Sequence, residues 1–166
     1  MVLKKLSISV PAGRRPTDPL DIFNKLKLRG SIMNIWEPQA EALKKWHKAR
    51  NEPDVVVRMN TGGGKSLVGL LVAQSLTNET NGRVLYVCPN NQLIEQTKLK
   101  ADEISLAPAT RFRRDWTRRP GFDSGDVFCL TNYAAVFNGK SVFNESDIRA
   151  LVLYSFSPNR SNSPGA

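Results

Sequence analysis

The sequence predicts an incomplete three-layer α/β domain with a mainly parallel sheet, and three observations carry that reading. Short apolar runs at residues 55–59, 83–88, 126–130 and 150–153 alternate with helix-forming stretches, the pattern of parallel strands joined by right-handed crossovers. A glycine-rich turn, Asn60-Thr61-Gly62-Gly63-Gly64, joins the first run to the helix-forming Lys65-Ser66-Leu67-Val68, a strand–loop–helix context in which backbone N–H groups converge on an anion. The chain has 166 residues, 40% of them hydrophobic, which is one domain's worth and enough for a core.

Taken in order, the first stretch, through Pro16-Thr17, is loop-like and rich in Pro, Gly and Arg. Its opening residues 1–10 are too short and too interrupted for a signal peptide or a membrane span. Asp18 then suits an N-cap with Pro19 at the first helical position, and Leu20, Phe23 and Leu26 fall on one face of an accessory helix. A second helix is opened by Pro38, turns Ala42, Leu43 and Trp46 inward and ends near Asn51-Glu52-Pro53. The helix after the glycine turn runs from Lys65 to about residue 77 and is closed by Asn78-Glu79-Thr80-Asn81-Gly82. A further helix spans residues 91–106 and is stopped by Pro108. The residues after 154 hold four serines and two prolines in twelve positions with no hydrophobic period, and read as a disordered tail.

The glycine turn carries the chemistry. Thr61, Gly62, Gly63 and Gly64 let the backbone fold around a phosphate without a Cβ in the way, and the following helix aims its positive end at the same point. Lys65 would reach the β- and γ-phosphates and the Ser66 hydroxyl would ligate Mg²⁺. The general pattern G-x-x-x-x-G-K-[ST] is broken at its first position, where Met59 stands. The bland alternative is a surface turn that happens to precede a lysine.

That departure matches the form A-x-T-G-x-G-K-[ST], and the segment from about Ile35 to Leu153 resembles the first RecA-like domain of superfamily 2 helicases and translocases, the DEAD/DEAH-box group. Three more segments carry the resemblance. Trp36-Glu37-Pro38-Gln39-Ala40 looks like the entry helix whose glutamine reads the adenine edge, and Gln39 is the matching residue; a plain first-turn surface residue is the other reading. Val87-Cys88-Pro89-Asn90-Asn91-Gln92 looks like the strand end that touches a nucleic-acid backbone, which implicates Pro89, Asn90, Asn91 and Gln92. Leu130-Thr131-Asn132-Tyr133 sits where the family has a second such turn, which implicates Thr131 and Asn132. The resemblance implies ATP and Mg²⁺ as cofactors, Lys65 as the catalytic lysine, and DNA or RNA as partner. The expected division is an N-terminal extension over 1–34, a partial helicase ATP-binding domain over 35–153 and the tail over 154–166.

One part of that pattern is missing. The family's next buried strand runs into an acidic pair that holds Mg²⁺ and orients the attacking water, whereas here Leu151-Val152-Leu153 is followed by Tyr154. None of the other strand candidates ends in a carboxylate; they lead into Arg58, Cys88 and Thr131 or end at Met59. The expectation is a chain cut or shifted out of frame in its fourth strand, one that binds ATP without hydrolysing it alone.

A net charge of +9 and a pI near 9.9 favour polyanionic partners. The run Arg111-Phe112-Arg113-Arg114-Asp115-Trp116-Thr117-Arg118-Arg119 concentrates that charge, placing Arg111, Arg113 and Arg114 for phosphates and Phe112 and Trp116 for unpaired bases. The same run also reads as a solvated loop between elements. Cys88 and Cys129 suit reduced core thiols, His47 a solvated side chain, and a cytoplasmic location is the default; the oligomeric state is left open. Two other functions fit parts of the pattern. A small basic nucleic-acid-binding module with a vestigial loop would grip strands without nucleotide, and a small P-loop kinase would suit the length but leaves the segments at Gln39, Pro89 and Thr131 unexplained.

Overall fold

The computed structural model describes residues 2–5, 15–113, 115–137 and 143–154. In chain order the elements are β1 (Val2–Lys5), α1 (Pro19–Lys25), α2 (Glu37–Ala49), β2 (Asp54–Val56), α3 (Lys65–Thr80), β3 (Arg83–Cys88), α4 (Asn91–Glu103), β4 (Ala109–Phe112), β5 (Asp115–Thr117), α5 (Arg119–Asp123), β6 (Cys129–Asn132), α6 (Tyr133–Phe137), a 3₁₀ turn at Glu145–Asp147 and β7 (Ile148–Leu153).

The seven strands form one sheet in the order β2-β1-β7-β3-β6-β4-β5. Pairs β7–β3, β3–β6 and β6–β4 are parallel, while β1 runs antiparallel to both β2 and β7, and β5 antiparallel to β4. Five strands therefore point one way and two the other, which makes the sheet mainly parallel as expected. β3 is buried along its length after Arg83, as a central parallel strand covered on both faces must be.

Two apolar layers flank the sheet. On one side Leu43, Trp46, Leu70, Leu71, Tyr86 and Val152 pack together under α1, α2, α3 and α4. On the other, Leu85, Val87, Phe122, Cys129, Phe143 and Ile148 form a second cluster. α3 is buried nearly all round, from Leu67 to Asn78 with Gln74 half-buried, and carries no acidic residue in its first turn. α1 packs on it through Ile22 and Phe23, and the Ser75 hydroxyl and the Asn78 amide donate to the carbonyls of Thr17 and Pro16. Asp18 caps α1 as expected, its Oδ1 accepting from Leu20 N at 2.8 Å.

Several expectations are corrected. The opening of the chain is not all loop, because Val2–Lys5 is inserted into the sheet as β1. Four residues with two lysines carry no strand signal of their own, and their conformation is set by partners on both sides. The arginine-rich run is not a loop between elements either. It folds as the β4–β5 hairpin with the register Thr110↔Thr117, Arg111↔Trp116 and Phe112↔Asp115, anchored by Trp116 packing 5.8 Å from the ring of Phe122 and 5.6 Å from that of Phe143. No glycine or asparagine marks the turn, and Arg113 takes a left-handed φ of 51° there, so the usual sequence signal for a tight hairpin is missing. β6 starts later than the apolar run because Asp126 and Val127 donate to Gly121 O in a turn. His47 is not fully solvated; its ring is half-buried with Nε2 3.9 Å from Asp18 Oδ2. Arg114 and the tail from 155 to 166 lie outside the described residues.

Candidate nucleotide site and the adjoining strand-end turns

The phosphate-loop residues Thr61 to Ser66 lie at the carboxyl end of β2 and lead into the amino end of α3. Gly62 and Gly64 have φ of 80° and 76°, the left-handed region open to glycine at no steric cost. Gly63 N donates to Asn60 O at 3.1 Å, and Leu67 and Val68 N turn back to Gly64 O, which closes the first turn of α3. Apart from its chain neighbours, no heavy atom of the described residues lies within 4 Å of where a Cβ on Gly62 would stand, so that side of the loop is open. An anion fits here: the N–H groups of a helix start and a lysine meet open space at the head of a helix with no first-turn carboxylate to oppose them.

Two depressions adjoin the loop. A groove of about 1010 Å³ runs between α2 and β2 and is lined by Trp46, Val55, Val57, Thr61, Gly63 and Lys65 among others. A smaller one of about 440 Å³ is bounded by Met33, Trp36, Gln39, Gly64, Ser66 and Lys100. Trp36 and Gly62 border both. Trp36 and Met33 are 63% and 71% exposed, and neither was singled out for a role by sequence; an exposed tryptophan beside a helix-opening proline is the signal that was there to find.

Gln39 is buried, and its amide is engaged at both ends. Oε1 accepts from Trp36 N and Nε2 donates to Gly63 O, each at 3.1 Å. Because Trp36 N–H must donate, the oxygen is fixed on that side and the NH₂ on the loop side. Gln39 therefore joins the start of α2 to the phosphate loop.

The turns beyond β3, β6 and β4 stand side by side, since those strands are consecutive in the sheet. Asn90 caps α4 by accepting from Leu93 N at 2.9 Å. Asn132 Nδ2 donates to Asn91 Oδ1 at 2.7 Å while its Oδ1 accepts from Ala135 N, so the two turns are linked by side chains. Pro89 is half-buried and Gln92 exposed beside them. Thr131 is buried, and its hydroxyl donates to Arg111 O at 2.8 Å, leaving it a strand-to-strand tie. The arginines of the hairpin are largely engaged within the domain. Arg111 and Arg119 flank the Trp116 ring at 5.8 and 5.3 Å, Arg118 donates to Ala107 O, and Arg113 lies 3.5 Å from Glu95. Arg113, 64% exposed at its side chain, keeps most of its surface in solvent.

Tyr154 stands at the end of β7, its N–H donating to Val87 O and its carbonyl accepting from the Tyr133 hydroxyl at 2.6 Å. Burial raises the Tyr133 phenol, with the Cys88 thiol nearby adding to it. The described residues contain no cluster of three or more His, Cys, Asp or Glu able to hold a metal. Cys88 and Cys129 are buried free thiols; burial pushes Cys88 up to about 12, against the smaller opposing effect of Thr97, and raises Cys129 further.

A mainly parallel α/β sheet with a glycine loop at the head of a buried helix is the arrangement of a phosphate-binding nucleotide domain, and the family match makes it a helicase-like ATP-binding domain. The family model described as "Type III restriction enzyme, res subunit" matches residues 32–150, and the chain belongs to that family. Searches of curated proteins and of solved structures returned no match. Domains of this kind generally use ATP and Mg²⁺ and act on nucleic acids. No helix among the described residues is long and apolar enough to cross a membrane.

Proposed function

We propose that this chain is the ATP-binding segment of a nucleic-acid helicase or translocase of the DEAD/DEAH-box type, one that holds ATP without hydrolysing it at a useful rate alone. The observation that carries the reading is the glycine loop with its two left-handed residues seated on the amino end of α3. On this reading Thr61, Gly62, Gly63 and Gly64 wrap the phosphates, Lys65 neutralises the terminal ones and the Ser66 hydroxyl ligates Mg²⁺. Mg²⁺ held there would supply neutralisation of the phosphate charge. The adenine would sit in the smaller depression beside Trp36, where Gln39, with one amide hydrogen and one oxygen lone pair beyond its two present hydrogen bonds, would read its edge.

Hydrolysis needs a group that positions water, and Tyr154, tied to β3 by its backbone N–H, offers a phenol where a carboxylate would be required. Nucleic acid would run along the turns at Pro89, Asn90, Asn91 and Gln92, then Thr131 and Asn132, toward Arg111, Arg113 and Arg114. With Thr131 buried, its part in such contacts would come from the backbone. A cytoplasmic setting suits the two free thiols. The second reading, a basic module that grips strands without nucleotide, draws on the arginine hairpin alone.

The test is fluorescent ATP-analogue binding with Mg²⁺ to the full chain and to Lys65→Ala, with phosphate release followed in parallel. Saturable binding that falls at least about tenfold in the variant, without turnover, is the expected result. Equal binding by both proteins sinks the nucleotide assignment, and steady turnover sinks the view of Tyr154.

A further inference from the structure

β2 delivers the chain into the phosphate loop, yet among the described residues it is the edge strand of the sheet, with β1 as its one sheet neighbour. The ladder runs Val2↔Val56, Leu3↔Val55 and Lys4↔Asp54. On its other side β1 pairs with β7 through Val2↔Leu153, Leu3↔Val152, Lys4↔Leu151 and Lys5↔Ala150. The strand before the loop is thus joined to the parallel core of the sheet through the first residues of the chain. β2 is three residues long, with Asp54 and Val56 exposed and only Val55 half-buried against the core. An unpaired strand of that length is not stable in water.

The two sides of the loop are therefore unequally held. Its exit is built into α3, which is buried from Leu67 onward. Its middle is pinned by Gln39 at Gly63 O. Its entry follows β2, which packs on the core through Val55, with Val57 and Met59 after it, and whose ladder partner among the described residues is β1.

We propose that β1 is the tether of the phosphate loop, so that residues 2–5 set how often residues 60–66 hold the shape that binds a nucleotide phosphate. The proposal rests on the nucleotide reading of the loop but adds a positioning segment that the glycine motif does not contain. Withdrawal of β1 lowers the fraction of competent loops, and apparent affinity falls by that fraction. The Gln39 clamp persists, so binding weakens without vanishing.

The experiment uses the full chain with Leu3→Pro, which removes a ladder N–H and cannot sit inside a sheet, and with Leu3→Val as the conservative control. A third protein, Leu3→Cys with Val55→Cys, places cysteines at directly opposed ladder positions, within the Cα separation a disulfide spans. Two quantities are read: amide hydrogen exchange over 54–60 and over 84–88 without nucleotide, and ATP-analogue affinity with Mg²⁺. Leu3→Pro is expected to speed exchange over 54–60 by about tenfold or more while 84–88 stays protected, and to weaken binding by about tenfold, as for a loop competent about a tenth of the time. Leu3→Val matches wild type in both. The oxidised cysteine pair slows exchange over 54–60 and keeps wild-type affinity.

Failure of the pair to cross-link, or unchanged exchange over 54–60 in Leu3→Pro, overturns the tether. Faster exchange with unchanged affinity overturns its control of the loop. If Leu3→Pro also loosens 84–88, the cysteine pair decides, because it tests the same ladder without breaking it. A wild-type chain that binds no nucleotide refutes the proposed function, while the exchange measurements still judge the β1–β2 contact.

Discussion

Gly64 carries two constraints at once, a φ of 76° and a Cβ position 2.1 Å from Gln39 Nε2, whereas Gly62 carries the φ of 80° with open space around it. Alanine at either position takes on roughly 1–2 kcal/mol of left-handed strain, but only Gly64→Ala must also push Gln39 off Gly63 O. Nucleotide binding is expected to suffer more in Gly64→Ala than in Gly62→Ala at similar thermal stability; equal losses measured with an ATP analogue would remove Gln39 from the account. Cys88 gives a second residue-scale expectation. Its thiol is raised from 9.0 to about 12 by burial, so the folded protein keeps a proton that the unfolded chain loses. The stability this contributes is fully present below pH 9, and it is lost as pH rises from there toward 12, by up to about tenfold in the folding constant per pH unit. Denaturant titrations of wild type and Cys88→Ala across that interval check it, the variant showing the shallower decline. The loop residues were legible in the sequence because a left-handed turn writes itself as glycine. The engagement of Gln39 was not, since which partner a glutamine takes depends on where a loop far along the chain arrives.

At the scale of elements, helices that carry their own start signals were read nearly as they stand. α1 begins at Pro19 behind Asp18, and α3 and α4 begin at Lys65 and Asn91. Asp18→Ala is expected to cost about 1 kcal/mol, the usual worth of an N-cap, and a urea titration reads it; no change would mean that packing of Ile22 and Phe23 on α3 fixes α1 alone. Elements defined by their partners were not legible. β1 is too short for periodicity and exists through β2 and β7, and the β4–β5 hairpin lacks turn residues. The hairpin is held instead by Trp116 among Phe122, Phe143, Arg111 and Arg119. Trp116→Ala therefore removes the packing that defines β5, at about 1–2 kcal/mol for a half-buried ring. The loss belongs in folding stability, with nucleotide affinity unchanged at temperatures where the protein stays folded, because β5 lies at the opposite edge of the sheet from β2.

Across the whole molecule, the loop and the strand-end turns share the carboxyl edge of one sheet, with β2 at one end and β4 and β5 at the other. This separation gives the proposed nucleic-acid contacts a test independent of nucleotide. A net charge of +9 alone would give weak, diffuse attraction to any polyanion, so affinity by itself decides little. The salt dependence of binding to an oligonucleotide discriminates, because each phosphate contact adds about 0.7 to the slope of log affinity against log salt for a single strand. Arg113, exposed and at the turn of the hairpin, should remove about one such contact when changed to Ala. Arg111 is stacked on Trp116, and its replacement is expected to loosen the hairpin and lower thermal stability first. Lys65→Ala should leave the slope without ATP where it was, since the loop lies at the other side of the sheet. A slope indifferent to Arg113, with Lys65→Ala weakening the strand instead, would move the nucleic-acid path away from the hairpin and onto the nucleotide loop.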